Sequence, residues 1–169
     1  MQIRQITLKD AEEYLSLRNA VDTDSEFMLY EKGERATTVE GQRNIIFNYL
    51  NRANSNIFVV EDEGNLVGFL EAQGSYLKKI KHKTFIVLGL LREYRGKGLG
   101  KQLFIEMENW AREKKLHRLE LIFMEGNKVG RHLYEKMGFI EEGRSKDVYL
   151  INGLYMDEIR MAKILEYTK

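Results

Sequence analysis

Glycine stands at positions 96, 98 and 100, inside the run Arg92-Glu93-Tyr94-Arg95-Gly96-Lys97-Gly98-Leu99-Gly100-Lys101. The apolar stretch Phe85 to Leu91 predicts a strand leading into this run. Leu99, Leu103, Met107 and Trp110, spaced 4, 4 and 3 residues apart, predict one face of a helix leading out of it. Glycines remove side chains where a ligand must approach. At a helix start, the unpaired N–H groups and the positive end of the helix dipole point outward. A strand, glycine turn and helix in this order therefore predict an anion site, and a pyrophosphate is the ligand it suits.

Spacing separates the pockets that share this description. A phosphate loop of the G-x-x-x-x-G-K-[ST] type would use Gly100-Lys101, but Gln102 lacks the metal-binding hydroxyl and Arg95 stands where the first glycine belongs. A dinucleotide fingerprint needs G-x-G-x-x-G, whereas this chain has G-x-G-x-G followed by Lys101, and its strand lies mid-chain without a second nucleotide-binding half. What remains is R-x-x-G-x-G, from Arg95 through Gly98 to Gly100. A second motif follows the predicted strand Leu119 to Met124: Asn127-x-x-Gly130-x-x-Leu133-Tyr134-Glu135-Lys136-Met137-Gly138-Phe139. Together, in this order and at this separation, the two motifs resemble those of the GNAT superfamily of acyl-CoA-dependent N-acetyltransferases. Gly130 departs from that family's usual alanine, at a cost to a helix of up to about 1 kcal/mol. Arg92 stands where the family often carries a proline. The resemblance runs from Ile3 to Leu165 and is strongest after Leu88.

The resemblance implies an α/β (α+β) fold. Its centre is a mixed, mostly antiparallel sheet of six to seven strands with one splayed parallel pair, flanked by four helices in a single domain. It implies acetyl-CoA as co-substrate, with the pyrophosphate held by Arg95, Gly96, Lys97, Gly98, Leu99, Gly100 and Lys101. Backbone groups near Leu90 and Arg92 would face the pantetheine arm, and Asn127 would contact the coenzyme. Tyr134 corresponds to the residue that protonates the departing thiolate, a role a phenol with a pKa near 10 can fill. For the base, Phe85 to Leu91 holds no carboxylate. Glu120 on the following strand and Glu71 on the third strand are candidates, beside a water relay. Tyr30, Glu31 and Glu34, in the segment joining the first two helices, are expected on the acceptor side. Gly138-Phe139-x-x-Glu142-Gly143 with Asn152-Gly153-x-Tyr155-x-Asp157 is similar to the branch acting on small amines, amino acids or protein N-termini. The implied reaction is direct transfer to a primary amine of a small molecule or peptide in a ternary complex. The alternative is a non-catalytic acyl-CoA-binding regulatory module.

Composition sets the bounds. The 169 residues suit one domain with a real core, and no cysteine is present to form a disulfide, a thiolate metal site or an acyl-cysteine. His82, His117 and His132 are too scattered to suggest a metal. The net charge of +1 gives no argument for nucleic acid. No apolar run approaches the ~20 residues that span a bilayer, and Met1-Gln2-Ile3-Arg4 lacks a signal core, so the expected location is the cytoplasm.

The remaining elements follow from local pattern. Ile3 to Ile6 predict a strand, and Ala11, Tyr14, Leu15 and Leu17 a helix. Ile45, Ile46, Tyr49 and Leu50 predict the buried face of a second helix behind Thr38 as N-cap. Ile57–Val60 and Leu66–Ala72 predict a hairpin. Asn152-Gly153 between two β-rich runs predicts a type I′ turn. Tyr149, Tyr155 and Met156 on that last hairpin offer a surface suited to a homodimer.

Overall fold

The computed structural model describes residues 1–167. Strand β1 (Gln2–Gln5) leads into helix α1 (Ala11–Asp24), and α2 (Val39–Leu50) follows an irregular segment. Then come β2 (Asn56–Asp62), β3 (Asn65–Gly74), β4 (Lys83–Leu90), α3 (Leu99–Glu113), β5 (Arg118–Met124), α4 (Lys128–Lys136), β6 (Ile140–Ile151) and β7 (Leu154–Ile164). The strands form one seven-stranded sheet in the order β1-β2-β3-β4-β5-β7-β6. Every neighbouring pair is antiparallel except β4 and β5. No helix among the described residues is long and apolar enough to cross a membrane.

Both faces of the sheet are covered, which is why Ile57-Phe58-Val59-Val60 is apolar without alternation. Ile57 and Val59 join Tyr14, Leu17, Val21, Ile46 and Phe69 in the core under α1 and α2. Phe58 and Val60 face the other way, toward Leu103, Phe104, Met107 and Trp110 of α3. On α2 the apolar spacing overstates the buried face: Ile46 is fully buried, whereas Ile45 and Leu50 are exposed. The buried positions around Ile46 include the polar Gln42, which an apolar count passes over. Thr38 caps this helix, its hydroxyl accepting from the Gly41 N–H at 3.1 Å. Both hairpin turns are tight pairs at positive φ, Glu63-Gly64 and Asn152-Gly153.

The parallel pair is the exception that shapes the molecule. Its register holds only for Lys83↔Arg118, Thr84↔Leu119 and Phe85↔Glu120, after which the two strands part. β4 stays paired to β3 through Leu90, and β5 to β7 through Met124. The gap between β4 and β5 therefore opens without loosening either half of the sheet. Gly89 lies on the parting stretch of β4. A Cβ there would come within 2.4 Å of the Phe69 ring and 2.9 Å of Val21, so the glycine lets α1 and Phe69 close against the strand beside the gap. Gly89→Ala should destabilise the fold by about 1–3 kcal/mol through overpacking, read as a lower urea midpoint at unchanged m-value.

Candidate active site

Between the parted strands lies a cavity of about 700 Å³. Leu88 and Leu90 of β4, the turn 95–101 except Lys97, and the residues from Asn127 to Lys136 other than Arg131 and Glu135 line one end. Val21, Ser25, Phe27, Met28 and Gly89 line the other. The two ends belong to opposite faces of the sheet, because Leu88 and Leu90 pack with the α3 core while Val21 and Met28 pack with the α1 core. The cavity thus passes through the sheet.

The turn before α3 leaves its backbone donors open toward the cavity. Gly96 and Gly98 have φ of +73° and +80°, and a Cβ at either would meet nothing within 4 Å, so both face open space. Gly98 is the N-cap of α3 and supplies no side-chain cap. The N–H groups of residues 96–101 donate to no carbonyl or side chain among the described residues. Helix starts normally satisfy such groups with a capping side chain, so this one presents bare donors at the positive dipole end. Arg95, Lys101, Lys128 and Lys136 add positive charge around the same opening. The Arg95 Nε donates to the Leu90 carbonyl at 3.0 Å and so closes the turn over the end of β4.

Across the gap, Asn127 caps α4, its Oδ1 accepting from the Gly130 N–H at 2.9 Å. A Cβ on Gly130 would fall 2.8–2.9 Å from the Asn127 amide, so glycine makes room for that capping side chain. The Asn127 Nδ2 has no partner among the described residues and lines the cavity. Tyr134 packs its ring against Phe104, Phe123 and Phe139 at centroid distances of 5.9, 5.4 and 6.5 Å. Its hydroxyl makes no hydrogen bond among the described residues, and the side chain lines the cavity. Burial pushes the Tyr134 phenol up to about 12.

A family model for the acetyltransferase (GNAT) family matches residues 17–139, which include the whole of this cleft. The chain belongs to the GNAT family. Among relatives, it is 34% identical over 107 residues to the spermidine N(1)-acetyltransferase of Vibrio cholerae, covering 62% of this chain and 60% of that protein. It is 29% identical over 162 residues to "Probable N-acetyltransferase YjcK" of Bacillus subtilis, covering 92% of this chain and 88% of that one. The chain thus spans well under two thirds of the spermidine acetyltransferases it matches, 60% of the Vibrio protein and 55% of the Escherichia coli one. A GNAT-family acetyltransferase from Streptococcus pneumoniae superposes with a TM-score of 0.94 at 25% identity over 97% of this chain and 99% of that one. A ribosomal-protein-alanine N-acetyltransferase from Brucella melitensis does so at 0.83 and 29% identity, over 98% of this chain and all of that one.

Within this GNAT cleft, Leu90, Arg95, Gly96, Gly98, Leu99, Gly100, Lys101, Asn127 and Tyr134 all line the cavity, as does Gly130. Arg92 and Lys97 do not. The Arg92 guanidinium reaches the Asp24 carbonyl at 3.5 Å, and the Lys97 Nζ lies 4.8 Å over the Tyr94 ring. The two carboxylates stand apart from the cavity. Glu120 sits on the last paired rung of β4 and β5, ion-paired to Lys83 at 2.6 Å and to Arg118 at 3.0 Å. Despite a desolvation cost acting the other way, those two cations hold it below the usual carboxylate range. Glu71 is paired with Arg18 and accepts from the hydroxyls of Tyr14 at 2.7 Å and Tyr49 at 3.3 Å. Burial first, and then the Glu71 charge, raises both phenols, so each donates.

The segment after α1 reaches the cavity through Ser25, Phe27 and Met28 rather than Tyr30, Glu31 or Glu34. Tyr30 stacks under the Arg35 guanidinium at 4.2 Å, Arg35 pairs with Asp22 at 2.7 Å, and Glu34 accepts from the Glu31 N–H at 2.8 Å. Sequence reading missed Phe27, Met28, Lys128, His132 and Lys136 as lining residues. Lys136 stands within the second motif, whereas the other four carry no periodicity or motif, and only the fold brings them to the gap. Gly89 did leave a signal, a glycine within an apolar strand. Removing the Glu71 carboxylate should leave Arg18 charged and buried without a counter-ion. Glu71→Ala is therefore expected to cost about 3–5 kcal/mol of stability, measured by chemical denaturation.

Proposed function

We propose that this protein transfers the acetyl group of acetyl-CoA directly to a primary amine of a small molecule or peptide. The observation that carries this reading is one cavity holding both the bare N–H groups of residues 96–101 and the unbonded hydroxyl of Tyr134. The site fits the coenzyme: glycines leave the approach open, backbone donors suit a pyrophosphate, and Arg95 and Lys101 supply counter-charge. The unpaired edge of β4 beyond Phe85 suits the amides of the pantetheine arm, and the Asn127 Nδ2 can donate to it. One of the solved GNAT structures that superposes on this fold, from Salmonella typhimurium, is described with its cofactor acetyl-CoA, and it is 16% identical.

When bound, acetyl-CoA supplies an acetyl group activated as a thioester. The chain's contribution begins with positioning, because holding both reactants in one cleft replaces a bimolecular encounter with a local one. The coenzyme end of the cavity fixes the thioester, and the Val21–Met28 end admits the amine from the opposite face. As the amine nitrogen bonds to the acetyl carbon and the carbon–sulfur bond breaks, Tyr134 gives its phenolic proton to the sulfur. A phenol raised to about 12 keeps that proton through the range where an ordinary tyrosine, at about 10, begins to lose it. Glu71 and Glu120 are each held by cations, so we assign the amine's proton to water rather than to either carboxylate. With no cysteine in the chain, transfer needs no acyl-enzyme. The relatives reported above carry acetyltransferase names, and nothing in the cleft favours the non-catalytic alternative.

Thiol release from acetyl-CoA across a panel of primary amines tests the reading; no release with any of them would sink it. Two variants divide its parts. Gly98→Glu places a carboxylate among the anion-binding N–H groups and should weaken acetyl-CoA binding by on the order of 100-fold or more, by calorimetry. Gly98→Ala carries the same positive-φ strain, about 1–2 kcal/mol, without the charge, and should bind far better than the glutamate variant. Tyr134→Phe keeps the ring packing and removes only the donor. It should lower kcat by roughly 10²–10⁴, leave the KM for acetyl-CoA nearly unchanged, and barely move the melting temperature.

A further inference from the structure

The half-buried carboxylates on the strands are held by cations, with one exception. Glu61 pairs with Arg4, Asp62 with the N-terminal amine, Glu71 with Arg18, Glu120 with Lys83 and Arg118, and Asp157 with Arg144. Glu158, equally half-buried, has no ion pair among the described residues. Its Oε2 accepts from the Tyr149 hydroxyl at 2.8 Å, and its Oε1 has no partner among them. Burial, and then the bond to Glu158, raises the Tyr149 phenol, so Tyr149 stays a donor and fixes the carboxylate's orientation.

The strand register says where this carboxylate points. On β7, Ile159 and Met161 pack into the core beneath α3, so Glu158 and Met156 face the α1 side of the sheet. Glu158 stands opposite Met124 and Met156 opposite Tyr149. The Met156 Cε lies 3.7 Å from where a Cβ on Gly126 would sit, and the Phe27 ring lies 3.9 Å from the same point. Phe27 and Gly126 line the cavity. Glu158 therefore lies one pleat along β7, ~7 Å away, from the residue flanking the end of the cavity away from the glycine turn. Arg160, the next residue on that face, makes no ion pair or hydrogen bond with Glu158 among the described residues.

A carboxylate raises the pKa of an ammonium it holds. That opposes deprotonation of an attacking amine but suits a nitrogen that stays charged. We propose that Glu158, oriented by Tyr149, receives a second cationic group of the acceptor, so that the preferred acceptors are amines carrying a positive charge beyond the nitrogen to be acetylated. This rests on the acetyltransferase reading and narrows its acceptor class. A charge-assisted N–H···O bond to the free Oε1 replaces the missing ion pair.

The test is calorimetric titration of the protein saturated with coenzyme A, using 1,4-diaminobutane and n-butylamine. The wild type should bind the diamine on the order of tenfold more tightly than the monoamine. Glu158→Gln should remove that preference while leaving monoamine binding and the melting temperature close to wild type. Tyr149→Phe should reduce the preference by a few-fold. Equal binding of the two amines by the wild type, or an unchanged preference in Glu158→Gln, overturns the proposal. Thiol-release kinetics run alongside should show a raised KM for the diamine alone in Glu158→Gln, at unchanged KM for acetyl-CoA. Diamine binding that depends on Glu158, with no thiol released from any amine, would refute the transferase reading and leave the Glu158 contact standing.

Discussion

Three rungs of parallel pairing between β4 and β5, and the parting that follows them, are the constraint on which the site depends. If the two strands stayed paired to their ends, the sheet would be continuous and no ligand could reach both of its faces. Because they part while each remains bonded to its outer neighbour, a backbone edge is exposed inside a rigid sheet. An unpaired strand edge is ordinarily a liability, open to pairing with other chains. Here it is sheltered inside a cavity, where the groups left unpaired are open to a ligand.

Rigidity around the gap comes from unlike sources on the two faces. Beneath α3 it is apolar packing, with Phe104 against both Tyr134 and Phe139, and Trp110 edge-on to Phe58. Under α1 a buried ion pair, Arg18–Glu71, sits among Tyr14, Tyr49 and Phe69, with the guanidinium 4.5 Å over the Phe69 ring. The Arg18 Nε has no partner among the described residues, so within them this network is not fully satisfied. A buried pair of this kind contributes no more to net stability than well-packed apolar residues of similar volume, but it tolerates no partial loss. It ties α1, α2 and β3 together one layer behind Val21 and Gly89, which form the cavity wall.

The parts of the fold that were legible in the sequence are those whose signal is local. The glycine turn, the α3 face from Leu99 to Trp110, the Asn-Gly hairpin and the Thr38 cap each follow from a few neighbouring residues and a backbone requirement. In the irregular segment after α1, Tyr30, Glu31 and Glu34 were expected on the acceptor side, whereas Phe27 and Met28 reach the cavity. Ile45 and Leu50 were expected inside and lie outside, because apolar spacing cannot see that α2 meets the sheet along a narrow strip around Ile46. The engagement of Glu71 and Glu120 was also invisible. Arg18, Tyr14 and Tyr49 in one case, and Lys83 in the other, come from distant sequence, and only Arg118, two residues before Glu120 on the same strand, is local. The same reasoning explains why Glu158 was passed over: its lack of a cation becomes notable only once the partners of the other strand carboxylates are known.

In the proposed mechanism the coenzyme engages the bare N–H groups at the start of α3 and the unpaired edge of β4. Amide hydrogen exchange, followed residue by residue with and without acetyl-CoA, tests this most directly. Strong new protection is expected at Gly98 to Lys101 and along residues 86–90, with little change on the paired rungs at 118–120. Saturable binding of acetyl-CoA that leaves the amides of 98–101 as exchangeable as before would contradict it.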